Sequence, residues 1–220
     1  MKYTISIAEK KEITKDVLEF SFKKPAGFKY KAGQYIGINL PVSDKRAENF
    51  KSFSLSSAPW EKHLVVTLRR GPSLFKQKID SLKKGDTIDI EGPFGNFIIR
   101  PGDNDKRLVF LARGIGITPF ISIFKNSIAT KQYMTLFYET RSFGEPIYYY
   151  ELLEMQKKNP YFHYLPFVPL PMQAKAFFSS PENLIFLCGS DKAVASYKAL
   201  LQQAEINKKQ IRVEAFEGYM

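Results

Sequence analysis

The feature that most constrains this chain is a change in the spacing of its apolar residues about 100 positions in. Before that point the spacing is two. Tyr3, Ile5 and Ile7 alternate with Thr4 and Ser6, and Val17, Phe20 and Phe22 sit in a second extended run. Similar runs cover 34–40, 51–56, 64–68 and 87–90, with turn residues between them at Lys31-Ala32-Gly33, Ala58-Pro59 and Gly85-Asp86. Six short strands at this spacing predict a closed antiparallel barrel or sandwich. One helix is predicted over 73–82, with Ser73 placed to cap it.

After residue 100 the pattern changes. Arg107 to Ala112, Met134 to Tyr138 and Leu184 to Cys188 are nearly continuous apolar runs, which predict buried strands. Helical spacing follows each of them: Phe120, Ile121, Phe124 and Ile128; then 147–155; then Ala193, Val194, Tyr197, Leu200, Leu201 and Ala204. Strand–helix alternation predicts a parallel sheet covered by helices on both faces. The boundary is placed in the polar Pro/Gly stretch from Arg100 to Asp105. The expected organisation is therefore a β-barrel domain over 1–100 and an α/β domain over 101–220.

Composition narrows the function. Of 220 residues, 44% are hydrophobic and 25% charged, which excludes disorder, collagen and coiled coil as descriptions of the whole chain. No apolar run approaches the roughly 18 residues a membrane helix needs, and the first ten residues lack a signal-peptide core, so a soluble, cytoplasmic protein is expected. The single cysteine, Cys188, excludes an internal disulfide and a zinc or iron–sulfur site ligated by several thiolates. The net charge of +11 favours a polyanionic partner. The lysines occur as scattered pairs, such as Lys10-Lys11 and Lys83-Lys84, rather than in one arm, so nucleic acid is not the expected ligand.

Two segments carry candidate chemistry. Gly114-Ile115-Gly116-Ile117-Thr118-Pro119 follows a predicted strand and opens a predicted helix. Glycines there let backbone approach a ligand, and a helix N-terminus attracts a pyrophosphate. Thr118 is expected as the N-cap and Pro119 at the first helical position. The segment also reads as an ordinary tight turn. Lys51-Ser52-Phe53-Ser54-Leu55-Ser56-Ser57 places a cation, an aromatic ring and hydroxyls on one strand, with Lys51, Phe53 and Leu55 on one face and the even-numbered serines on the other. By itself it reads better as an ordinary barrel strand with one polar face.

In order along the chain, these segments resemble the motifs of the ferredoxin–NADP reductase family of two-domain flavoproteins. Lys51 to Ser57 matches that family's flavin motif, and Ala32-Gly33-Gln34-Tyr35 matches the turn before it. Gly71-Pro72-Ser73, Leu82-Lys83-Lys84-Gly85-Asp86 and Gly92-Pro93-Phe94-Gly95-Asn96-Phe97 follow in place. So do Gly114 to Pro119, Thr140-Arg141-Ser142, Cys188-Gly189-Ser190 and Glu214 to Tyr219. The resemblance covers essentially the whole chain.

The resemblance implies bound FAD in the barrel and NAD(P)H in the α/β domain. Lys51 would contact the flavin phosphate, as a lysine where the family usually has arginine. Phe53 would pack on the flavin, Ser54 would hydrogen-bond near N5, and Ser73 would hold the pyrophosphate. Gly114, Gly116 and Thr118 would line the nicotinamide cofactor. Cys188 would lie near the nicotinamide, and Glu214 with Phe216 near the flavin ring. On this reading Ser54, Cys188 and Glu214 are the catalytic candidates. Arg141 and Ser142 stand where relatives bind a 2′-phosphate, whereas Glu139, where relatives carry a small residue, favours a free ribose 2′-hydroxyl. Arg113 replaces a usual glycine, and Ser190 a usual proline. The implied reaction carries hydride from nicotinamide C4 to flavin N5 and then electrons to an external acidic carrier such as ferredoxin or flavodoxin, with the enzyme a monomer. The rivals are a flavin reductase that treats flavin as a diffusible substrate, a nucleotide sensor that passes no electrons, and a basic binding protein.

Overall fold

The computed structural model describes residues 1–41, 49–140, 146–166 and 178–216. They form two compact units, Met1–Ile98 with Thr118–Asn126, and Ile99–Ile117 with the chain from Ser127 onward.

In the first unit β1 (Lys2–Thr14), β2 (Val17–Lys23), β3 (Tyr35–Asn39), β4 (Phe50–Ser54), β5 (His63–Arg69) and β6 (Thr87–Phe94) make an antiparallel sheet in the order β4-β3-β6-β1-β2-β5. Its two end strands meet. Leu55, just past β4, bridges to Val66 of β5, and the Ser56 amide donates to the Val65 carbonyl at 2.9 Å. Closure removes the exposed strand edges. Ile5, Ile7, Phe20, Ile36, Leu55 and Val66 fill the interior. Helix α1 (Leu74–Ser81) adds buried Phe75 and Ile79 to that core. It begins where the sequence predicts: Ser73 is the N-cap, and its Oγ accepts from the Lys76 amide at 3.3 Å.

In the second unit β7 (Arg107–Arg113), β8 (Met134–Glu139), β9 (Phe162–Pro166), β10 (Asn183–Ser190) and β11 (Ile211–Phe216) form an all-parallel sheet in the order β11-β10-β7-β8-β9. Leu108–Ala112 and Leu184–Gly189 are buried without interruption because β7 and β10 are central. Helices α3 (Tyr149–Lys158) and α4 (Asp191–Gln203) lie between its strands in sequence, as does α2 (Thr118–Ser127), nearly all of which belongs to the first unit. The α4 side chains Tyr197, Leu201 and Ala204 pack on Val109, Leu111, Ile185 and Leu187.

The structure adds two strands that the apolar pattern did not single out. β9 is a short edge strand ending in Pro166, which cannot donate to a ladder. β11 is the opposite edge and alternates Ile211, Val213 and Ala215 with Arg212 and Glu214. The start of α2 is also corrected. A turn of 3-10 helix, Gly114–Ile117, runs directly into it, so Ile117 holds the cap position without a side-chain cap bond. Thr118 is therefore the first helical residue and Pro119 the second.

Candidate functional site

In the barrel, Tyr35 pairs with Ser54, Ile36 with Phe53 and Ile38 with Lys51, so β3 and the turn before it set the height of the candidate residues. That turn is rigid for a clear reason. Gly33 has φ +94°, and a Cβ there would lie 2.1 Å from the Phe97 carbonyl oxygen. Gln34 bridges the same loops: its Nε2 donates to the Gly95 carbonyl at 3.0 Å, and its Oε1 accepts from the Lys31 amide at 2.8 Å. Ser54 is buried. Phe53 is only 7% exposed and stacks on Phe75 at 5.9 Å, as part of the barrel core.

Lys51 has company that the sequence reading missed. Burial lowers the Lys76 pKa first, and the nearby positive charges of Arg69 and Lys51 lower it further. Three cations therefore converge beside the first turn of α1, which contains no acidic residue. A helix N-terminus adds the positive end of its dipole. Arg69 is also paired with Asp16, and a cluster of cations at a helix N-terminus attracts anions such as a diphosphate. The residues present fit the FAD implied by the resemblance. Lys76 carries the one local signal, because it stands three residues after the capping Ser73 and so at the same helix end.

In the second unit the chain leaves β7 for β8 and β9 on one side, then returns to β10 and β11 on the other. The strand order reverses between β7 and β10, and open parallel sheets bind ligands at the carboxyl ends of strands beside such a reversal. Gly114 and Gly116 follow the carboxyl end of β7. A Cβ on Gly116 would lie 2.4 Å from the Cys188 carbonyl oxygen and 2.7 Å from Gly189 Cα, so this turn sits directly against the end of β10. Gly114 has φ +57°, and its carbonyl accepts from the Tyr138 hydroxyl at 3.1 Å. Ser190 takes the N-cap of α4, accepting from the Ala193 amide at 3.4 Å, which gives the replaced proline a structural use.

Cys188 pairs in register with Ala112 on one side and Glu214 on the other. It is fully buried, and burial, followed by the Glu214 charge, raises its pKa well above the ordinary thiol value. It is therefore held as a neutral thiol, unsuited to nucleophilic work. Phe216 pairs with Ser190 at the same end of β11.

Glu139 closes β8 opposite Arg113, the last residue of β7. Arg113 Nη2 lies 2.8 Å from Glu139 Oε1, and the Tyr197 hydroxyl donates to Glu139 Oε2 at 3.1 Å. Tyr197 also lies 3.3 Å from the Ala112 carbonyl. Burial, and then the Glu139 charge, hold its phenol well above the ordinary tyrosine range. The structure thus joins Arg113 and Glu139, two of the four positions at which the sequence differs from the motifs it resembles. Arg141 and Ser142 lie outside the described residues.

Residues 4–99 match the family model described as an oxidoreductase FAD-binding domain. A flavohemoprotein of Bacillus subtilis is 33% identical over 121 residues, covering 55% of this chain and 30% of that protein. The ferredoxin reductase component of a Mycobacterium tuberculosis 3-ketosteroid-9-alpha-monooxygenase is 27% identical, covering 88% of this chain and 57% of its own. The chain spans only 30–65% of the length of the first curated relatives it matches. Among solved structures, the ferredoxin–NADP+ reductase of Plasmodium falciparum shares the fold with a TM-score of 0.81 at 21% identity, covering 98% of this chain and 96% of that one.

Proposed function

From the match of residues 4–99 to an oxidoreductase FAD-binding domain and the likeness of the chain to a ferredoxin reductase component and to a ferredoxin–NADP+ reductase fold, we propose that this chain is an NAD(P)H-dependent flavoprotein reductase that passes electrons to an external acidic carrier of the ferredoxin or flavodoxin type. The observation that carries this reading is the Gly116 turn seated on Cys188 at a strand-order reversal, in a chain whose other part is an FAD-binding domain. Residues 1–100 serve as the flavin part and 101–220 as the nucleotide part.

The chemistry supplied with bound FAD is acceptance of hydride from a reduced nicotinamide and release of electrons one at a time. The protein's own residues bind, orient and insulate. Lys51, Arg69, Lys76 and the Ser73 end of α1 hold the diphosphate. Ser54 offers a buried hydroxyl for orientation. Gly114 and Gly116 admit the nucleotide backbone closely, and Thr118 is buried at the start of the helix behind them. Cys188 is neutral and fully buried near the end of β10, and Glu214 and Phe216 stand on the neighbouring strand. Hydride transfer needs no acid–base pair, and positioning accounts for the roles given to these residues. The +11 charge favours an acidic acceptor by long-range steering.

One observation favours a second reading. Phe53 is covered by Phe75 within the core, which leaves little ring area to grip a flavin. A reductase that uses flavin as a diffusible substrate fits that.

The test is the anaerobic visible spectrum of the purified protein, before and after gel filtration and then with one equivalent of NADH or NADPH. Retained yellow colour that bleaches supports the bound-flavin reductase. Loss of flavin on the column, with turnover when flavin is added back, supports the second reading. Retained colour that neither nucleotide bleaches refutes the reductase.

A further inference from the structure

Ser54 stands where the chain changes partners. It is the last residue of β4 and pairs with Tyr35, the first residue of β3. The Leu55 amide then donates to the Gln34 carbonyl at 3.0 Å, and the Ser56 amide to the Val65 carbonyl at 2.9 Å. Within two residues the backbone passes from the β3 side to β5. The place of Ser54 therefore depends on what holds the residues just after it.

A buried group of hydroxyls does so, around Ser57. The Ser57 carbonyl accepts from the Tyr30 hydroxyl at 2.9 Å and from the Ser122 hydroxyl at 2.5 Å. The Ser57 hydroxyl accepts from the Val65 amide at 3.0 Å and lies 2.8 Å from the Tyr30 oxygen. With the single tyrosine proton given to the carbonyl, the serine proton goes to the tyrosine oxygen, and every group is used. Ser57 and Ser122 are fully buried, and Tyr30 is buried beside them. Burial holds the Tyr30 phenol well above the ordinary tyrosine range, so it remains a donor. Ser122 lies on α2, nearly all of which belongs to the same compact unit as the barrel.

One hydrogen bond is enough to satisfy a buried carbonyl. This carbonyl has two, from side chains 27 and 65 residues away along the chain. The second bond exceeds what desolvation requires. Its effect is to fix the direction of the peptide three residues past Ser54. Placement to a fraction of an ångström is what a group serving a reacting centre needs from its supports.

We infer that Tyr30 and Ser122 are positioning residues, which act through the Ser57 carbonyl to hold the Ser54 hydroxyl in place for the flavin. This deepens the proposed reductase function and rests on it.

The test compares the wild type with Ser122→Ala, Tyr30→Phe and the double variant, all loaded with FAD. Three quantities are read: the stopped-flow rate at which saturating NADH or NADPH bleaches the flavin, the flavin midpoint potential, and the urea midpoint of the apoprotein. Ser122→Ala leaves the carbonyl one bond, so the urea midpoint should stay close to the wild type. Bleaching should slow by about three- to tenfold, below the hundredfold that an ångström of misplacement can cost, and the potential should move with it. Tyr30→Phe should slow bleaching in the same sense. The double variant leaves the carbonyl with neither donor, so its loss of rate should exceed the product of the single losses. A bond that only stabilises the barrel lowers the urea midpoint and leaves rate and potential alone, and that result overturns the inference. A double variant equal to the product of the singles overturns the route through the shared carbonyl. If the double variant does not fold, the single variants decide. Normal bleaching in the wild type and both singles sinks this inference alone, whereas a wild type that neither nucleotide bleaches removes the reductase reading and this inference with it.

Discussion

Asp103 and Arg212 form an ion pair whose removal has a cost that can be worked out. Both carboxylate oxygens of Asp103 accept from the guanidinium, at 2.6 Å and 2.8 Å, and the side chains are only 10% and 16% exposed. The guanidinium also lies 5.3 Å from the centre of the Phe186 ring. The pair fastens the edge strand β11, which carries Glu214 and Phe216, to the turn at Pro101–Asp103. At an effective dielectric constant near 20, charges this close attract by about 4 kcal/mol. Desolvation offsets much of that while both are present, but removing one partner leaves the other buried and uncompensated. Arg212→Met should therefore cost about 3 kcal/mol, at the lower end for buried pairs because a tenth of the carboxylate still reaches water. Asp103→Leu combined with Arg212→Met should recover much of the loss, since no stranded charge remains. The assay is urea denaturation followed by far-ultraviolet circular dichroism for the wild type, both single variants and the double variant. The pH dependence is a second check. Burial pushes the Asp103 carboxyl up, but the Arg212 hydrogen bonds, the Arg100 amide and the charges of both arginines outweigh it and hold the pKa below the usual carboxylate value. A depressed pKa gives stability that is present above the unfolded value, about 3.9, and lost as pH falls through the folded one. The gap between wild type and Arg212→Met should therefore be constant near neutrality and shrink below about pH 4. A single-variant loss under about 0.5 kcal/mol, or a double variant no better than the sum of the singles, would refute the reasoning.

Tyr164 is buried, its hydroxyl has no partner among the described residues, and burial pushes its pKa up to about 12. Tyr164→Phe should leave stability unchanged or raise it by up to about 1 kcal/mol, read as a urea midpoint. Gly116→Ala puts a methyl group 2.4 Å from the Cys188 carbonyl, so nucleotide binding should fall by about tenfold or more in a fluorescence titration, because backbone rather than a flexible side chain would have to move. Lys76→Met should weaken FAD binding to apoprotein by about tenfold, the scale of one charge-assisted contact, while apoprotein stability holds or rises. The Lys76 pKa is lowered by burial and like charges, so wild-type apoprotein should gain stability as pH climbs from that lowered value towards the ordinary lysine value, and Lys76→Met should not.

Much of this molecule is legible along the chain because the signals are local. Alternation over 3–7 and continuous apolar runs at 108–112 and 184–188 report how many faces of a strand are covered, and Ser73 announces its helix. The order of the glycine turns, from Gly33 to Gly116, carries the resemblance to flavoprotein reductases. The short edge strand β9 escaped that reading because its burial alternates over only five residues and ends at a proline. β11 did show alternation, yet its place at the sheet edge depends on pairing with β10, more than twenty residues upstream. Thr118 reads as a cap along the chain because nothing local marks the glycine segment before it as a turn of 3-10 helix.

The charged clusters are of another kind. Lys51, Arg69 and Lys76 come from a strand, a strand end and a helix, and Arg113, Glu139 and Tyr197 from three elements spread over 85 positions. Sequence set the identity of each residue and the periodicity that builds its element. Tertiary structure alone decided which charges meet, because hydrogen bonds and ion pairs act over a few ångströms in space whatever the distance along the chain.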